Sequence, residues 1–161
     1  DLPPRSRDSG SPSNATRDDV RSFVGVLLDF DATVNPEPGV TRAPTGAEQF
    51  AALERTVRQM GGTLQVETLV ARRGFGLEAE QLALIDEWEA DGVALFSLDT
   101  LRRGRDIDID GLRRCFAKGF SLALLVEDLS FTERDEFDRF VELVIVMNEV
   151  RRRDQIGRAH V

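Results

Sequence analysis

A chain of 161 residues and 17.9 kDa, 41% hydrophobic and 31% charged, is sized for one globular domain. Its net charge of −8 disfavours indiscriminate nucleic-acid binding, which needs a clustered basic face, so any DNA contact would have to be local. Single copies of Cys (Cys115) and His (His160) and the absence of Tyr exclude an internal disulfide, a Cys-rich zinc site and a tyrosine nucleophile. The longest apolar run, Val141 to Met147, is too short to span a bilayer. A cytoplasmic, non-membrane protein is the expectation.

Residues 1–19 are Pro, Ser, Asp and Arg with almost nothing to bury, and read as a disordered leader. The folded domain is expected over 20–155. At the far end, Ile156-Gly157-Arg158-Ala159-His160-Val161 is what the start of a common sequencing adapter encodes. Residues 156–161 are therefore expected to be a translated tail.

Ser22 to Asp29 is an almost wholly apolar run, the pattern of a strand covered on both faces. After a loop with three prolines, Thr45 and Glu48 form a capping-box pattern. Phe50, Leu53, Val57 and Met60 then recur at helical spacing up to the stop at Gly61-Gly62. Alternation from Thr63 to Val70 predicts a second strand, and Gly74-Phe75-Gly76 a mobile loop. Glu78 to Asp91 reads as a helix with Leu82, Ile85 and Trp88 on one face, followed by a buried strand over Val93 to Leu98. Asp108 or Asp110 can cap a short helix burying Leu112, Cys115 and Phe116, and Phe120 to Val126 reads as a fourth strand. A second capping pattern at Thr132 opens a long helix to about Gln155, acidic at its start and Arg-rich at Arg151 to Arg153. Strands alternating with helices predict an α/β fold with a mostly parallel sheet of four to five strands, flanking helices and a long C-terminal helix.

The segment Leu98-Asp99-Thr100-Leu101-Arg102-Arg103 follows a buried strand, where open α/β sheets place ligands. It resembles the L-D-R-L-x-R segment of the serine recombinases, the resolvase and invertase family. The order of parts from Val20 to Asp154, with Gln49 and Leu53 matching a Gln and a Leu of the family, extends the likeness. The resemblance implies a resolvase-like fold and a serine nucleophile at the end of the first strand. It also implies arginines that neutralise the transition state of DNA cleavage. Aligning Gly25 to Phe30 on the family's G-Y-x-R-x-S puts Val26 at the Tyr, Leu28 at the Arg and Phe30 at the nucleophile. The family's other arginines fall on Ala79 and Thr100, and only Asp99 and Arg103 match. The implied reading is a recombination-associated domain that no longer cuts DNA, a pseudoenzyme without cofactor or metal. It would form a homodimer through the helix 132–155 and reach DNA only through a missing C-terminal region.

A competing resemblance runs through Val26-Leu27-Leu28-Asp29-Phe30-Asp31-Ala32-Thr33, which looks like the hhhDxDxT motif of haloacid-dehalogenase-type phosphatases. It implies Asp29 as nucleophile, Asp31 as general acid, and Mg²⁺ bridging carboxylates and phosphate. Ser97, Lys118 and the pair Glu127-Asp128 would supply the later motifs. Other features have structural readings: Trp88 and Cys115 as packing residues, and Arg151 to Arg153 as a solvated helix end.

The greasy middle of the long helix carries two apolar stripes. Phe137, Phe140, Val141, Val144, Met147 and Val150 are expected to face the core, and Leu143, Ile145 and Val146 to face a partner.

Overall fold

A computed structural model describes residues 20–30 and 42–159. The expected leader, Asp31, and His160 and Val161 of the expected tail lie outside the described residues. The first apolar run forms β1 (Arg21–Asp29), with Phe23 through Leu28 buried. Because successive strand residues point to opposite faces, Phe23 and Leu27 enter one core cluster while Val26 enters the other.

The capping box at Thr45 is real. The hydroxyl accepts from the Glu48 amide at 3.2 Å, and the Glu48 carboxylate accepts from the Thr45 amide at 2.9 Å. Those bonds hold the Glu48 carboxyl below its usual range and open α1 (Gly46–Gln59), which buries Gln49, Leu53 and Val57. The chain then forms β2 (Gly62–Arg72), α2 (Ala79–Glu87), β3 (Gly92–Leu95) and a 3₁₀ turn (Leu98–Leu101). A minimal antiparallel hairpin of β4 (Arg102–Arg103) and β5 (Asp106–Ile107) follows. The remaining elements are α3 (Ile109–Ala117), β6 (Leu122–Leu124), β7 (Leu129–Phe131) and α4 (Arg134–Ala159), whose backbone runs into the expected tail.

Among the described residues, five strands make one sheet in the order β2-β1-β3-β6-β7, parallel except for the β6/β7 pair. Residues of α1 sit in the cluster on one face, and residues of α2, α3 and α4 in the cluster on the other. The α/β expectation therefore holds, with the fifth strand antiparallel. From β1 the chain moves outward to β2, then crosses to β3 on the opposite side. The C-terminal ends of β1 and β3 thus flank a topological switch point. No helix among the described residues is long and apolar enough to cross a membrane.

Several boundaries differ from the sequence reading, each for a local reason. The strand expected over Val93 to Leu98 stops at Leu95, because Ser97 caps the 3₁₀ turn by accepting from the Asp99 amide at 3.1 Å. The helix expected to reach Asp91 ends at Glu87, where Trp88 turns extended. The strand expected from Phe120 begins at Leu122: Phe120 takes a left-handed backbone with φ 56°. Gly119 before it lies so close to Asp91 that a Cβ would fall 2.1 Å from the Asp91 carbonyl oxygen. Gly74 to Gly76, expected to be mobile, is a tight turn. The Phe75 amide donates to Arg72 at 3.0 Å, and Phe75 bridges to Arg103.

On α4 the two stripes are partly exchanged. Ile145, expected to face a partner, packs against the core, whereas Met147 and Val150, expected in the core, are exposed beside Leu143 and Val146. The cause is Asn148, 5% exposed, whose side-chain amide donates to the Ile107 carbonyl and accepts from the Ile107 amide, both at 3.0 Å. Pinning a polar residue inward turns the helix so that Phe137, Val141, Val144 and Asn148 form the buried line.

Candidate functional site

β1 reaches the switch point at Asp29 and Phe30. Asp29 is exposed, and its carbonyl accepts from the Arg73 amide at 3.4 Å. Phe30 meets Phe96 edge-on, with ring centroids 6.2 Å apart and planes at 86°, and the Arg73 guanidinium lies 5.9 Å over the Phe30 ring. The crevice side of β1 is closed by Gln49, which the sequence marked only as a matching position. β3 stops pairing with β1 at Leu95, so the peptide groups of Leu28 lack a strand neighbour on that side. The Gln49 amide takes its place, accepting from the Leu28 N–H and donating to the Leu28 carbonyl, each at 2.8 Å. A third bond runs to the Pro44 carbonyl at 3.2 Å.

The motif after β3 is internally engaged. Asp99 accepts two bonds from Arg102, at 2.7 and 2.9 Å, and Thr100 is buried with its hydroxyl donating to the Ser97 carbonyl at 2.8 Å. Arg103 donates to the Leu77 carbonyl and stands 3.5 Å from the Asp108 carboxylate that caps α3. Asp99 and Arg103 therefore serve different partners, and Asp99 is held by Arg102, three residues on at the variable position of the motif. Val26 and Leu28 are buried in the sheet, and Ala79 is the exposed first residue of α2.

The residues of the phosphatase resemblance scatter. Ser97 donates to Glu127 at 3.0 Å, and both Glu127 oxygens accept from the Leu98 amide at 3.1 Å, so that carboxylate caps the 3₁₀ turn. Asp128 is an exposed turn residue with φ 55°. Lys118 lies beside Ser22 and Asp91, at the opposite end of the sheet from Asp29, and donates to the Asp86 carbonyl at 3.0 Å. Seven strand steps separate Ser22 from Asp29, roughly 23 Å, so Lys118 cannot share a site with Asp29. Among the described residues no three His, Cys, Asp or Glu side chains are grouped to hold a metal ion. Cys115 is fully buried, and the loss of solvent pushes its thiol up to about 12, that of an inert core residue.

What the sequence missed at this end of the sheet is an aromatic and basic surface. Phe75 is 56% exposed with the Arg72 guanidinium 4.5 Å over its ring, and the turn that carries it lies against the β4–β5 hairpin through the Gly104 N–H to Gly74 carbonyl bond of 2.8 Å.

No family model and no curated protein matches the chain. Its structure is similar to the crystal structure of the N-terminal catalytic domain of TP901-1 integrase. That likeness has a TM-score of 0.54 at 18% sequence identity, and covers 83% of this chain and 98% of that one. The fold is thus of the recombinase catalytic-domain kind, an α/β sheet closed by a long terminal helix.

Proposed function

We propose that this chain is a recombinase-like domain that does not cut DNA and acts by associating with a second copy of itself. The observation that carries the first half is Phe30. Phosphoryl transfer to a protein requires an oxygen or sulfur nucleophile, and the end of β1 presents a phenyl ring packed on Phe96. The transition state would also require guanidinium groups at the developing charge, whereas Arg103 is engaged by Leu77 and Asp108. The second half rests on α4. Leu143, Val146, Met147 and Val150 are exposed at helical spacing, a seam that a matching helix would cover. DNA contact of the kind the resemblance implies would come through a region C-terminal to this chain.

Two measurements test this reading. Supercoiled plasmid and suicide DNA substrates are expected to give neither relaxation nor an SDS-stable protein–DNA adduct, and an adduct mapped to any serine, Ser97 included, refutes it. Sedimentation of the chain is expected to show a dimer that Val146→Glu converts to a monomer that still unfolds cooperatively. A parent chain that is monomeric at high micromolar concentration removes the association half.

A further inference from the structure

Although the chain holds 29 acidic against 21 basic side chains, arginines from three distant stretches converge at one end of the sheet. The end of β2 contributes Arg72 and Arg73, and the β4–β5 hairpin contributes Arg105. The last turns of α4 reach the same hairpin: Arg151 donates to the Arg105 carbonyl at 3.3 Å, and Arg152 to Asp106 at 2.6 Å. Several of these cations are already matched, Arg102 by Asp99, Arg103 by Asp108 and Arg152 by Asp106. The ion pairs among the described residues involve none of Arg72, Arg73 and Arg105, and all three are exposed.

Two of these arginines hold the guanidinium carbon over a phenyl ring, Arg72 4.5 Å from the centroid of Phe75 and Arg73 5.9 Å from that of Phe30. A guanidinium attracted to a ring face still has N–H donors to offer an anion. Phe75 is more than half exposed on a turn held by its N–H bond to the Arg72 carbonyl, the Gly104 to Gly74 bond and the bridge to Arg103, so the chain keeps a large apolar ring in water at a fixed place. An exposed phenyl ring beside guanidinium groups that form no ion pair among the described residues complements a ligand that offers bare π-faces and phosphates together. A duplex hides the faces of its bases, whereas a single strand presents both.

We propose that this surface binds single-stranded nucleic acid, with phosphates on Arg72, Arg73 and Arg105 and a base stacked on Phe75. The proposal requires neither cleavage nor dimerisation, and so stands apart from the function proposed above.

The test is fluorescence anisotropy of the full chain with a labelled oligothymidylate of about 20 nucleotides, the matching duplex, and heparin as a polyanion without bases, at about 50 mM salt. The single strand is expected to bind more tightly than the duplex, with affinity falling on a log–log salt slope of about −2 for three phosphate contacts. Phe75→Ala is expected to weaken binding about ten-fold, while Phe75→Trp retains it and shows indole quenching on addition of the oligonucleotide. The double variant Arg72→Ala/Arg73→Ala should bind more weakly and with a flatter salt slope. Failure to bind at about 50 mM salt, preference for the duplex or heparin, or indifference to Phe75→Ala each overturns the proposal.

Discussion

The clearest quantitative consequence of the sheet's geometry concerns Gln49, which is 1% exposed and stands in for a missing strand beside Leu28. Gln49→Met keeps the shape and apolar contacts of the side chain but leaves the Leu28 N–H and carbonyl without partners in a buried place. Each such orphan costs about 1–3 kcal/mol, so the variant should lose about 4 kcal/mol, a large share of a typical 5–15 kcal/mol domain stability. The Pro44 carbonyl is only half-buried and can turn to water, so it adds little. Gln49→Glu is the sharper perturbation. A carboxylate still accepts from the Leu28 N–H but faces two carbonyl oxygens where the amide donated, and burial raises its proton affinity above that of the unfolded chain. The native state then binds the proton more tightly than the unfolded state, so the destabilisation is smallest in acid. It grows as pH rises above about 4.3, with a slope of at most 1.36 kcal/mol per pH unit. Urea unfolding followed by the emission of Trp88, the single tryptophan, reads both variants. A Gln49→Met cost below about 1 kcal/mol, or a Gln49→Glu cost equal at pH values of about 4.5 and 8, would refute the stand-in role.

Two further outcomes follow from local strain and burial. Phe120 is a bulky residue held at φ 56°, so Phe120→Asn, which tolerates that conformation, is expected to raise stability by roughly 0.5–1 kcal/mol in the same urea assay, despite losing the edge contact with Phe116; a loss of stability contradicts the strain argument. The Cys115 thiol is pushed up to about 12 by burial, whereas in the unfolded chain it titrates near about 8.5, so its linked contribution is complete below the lower value and is lost as pH rises toward the upper. The chain should therefore lose more stability than Cys115→Ala between those pH values, and the native thiol should resist Ellman's reagent at neutral pH; fast labelling of folded protein overturns this.

The parts of the fold that were legible in the sequence are those set by neighbours along the chain. The run Phe23 to Leu28 and the Thr45 to Glu48 capping box carry their own signals, because period and cap chemistry act within one turn or one strand. β7 was not legible. Only Phe131 of its three residues is buried, and its pairing depends on the tight turn at Asp128, whose positive φ leaves no mark in a hydrophobicity pattern. The rotation of α4 was misread for a related reason. An apolar count ranks Met147 and Val150 as core and Asn148 as surface, but Asn148 finds both main-chain groups of Ile107, 41 residues away, and a satisfied amide can be buried.

At the candidate site the motif positions were legible and their partners were not. Asp99 and Arg103 could be named through the resemblance to the serine recombinases, but the bond from Arg103 to Leu77 depends on how two turns 26 residues apart meet. Nor does any sequence window show that Arg73, Arg105 and Arg151 share one end of a sheet. Such gatherings arise from topology: β2, the β4–β5 hairpin and the end of α4 are brought together only after the chain has crossed the sheet twice.

Folded sequences tend to break local rules where they work, since a site needs exposed apolar groups, unmatched charges or held strain that a purely structural surface avoids. At the switch-point crevice several of the described groups are matched. Leu28 is fully hydrogen-bonded through Gln49, Phe30 is packed on Phe96, and Asp99 and Arg103 are matched. Elsewhere the rules are broken at several places, among them the strained Phe120, the exposed stripe of α4 around Val146, and the turn where Phe75 stays in water beneath Arg72. Exposed apolar surface of this kind is what the two proposed contacts, with a second copy and with single-stranded nucleic acid, would cover. Compared at concentrations where the parent is monomeric, Val146→Glu and Phe75→Ala are expected to leave the melting temperature within a degree or two, since each side chain is more than half exposed. A drop of more than about 4 °C in either, the shift expected from 1 kcal/mol in a domain of this size, would show that the side chain serves the fold and would return it to the structural residues.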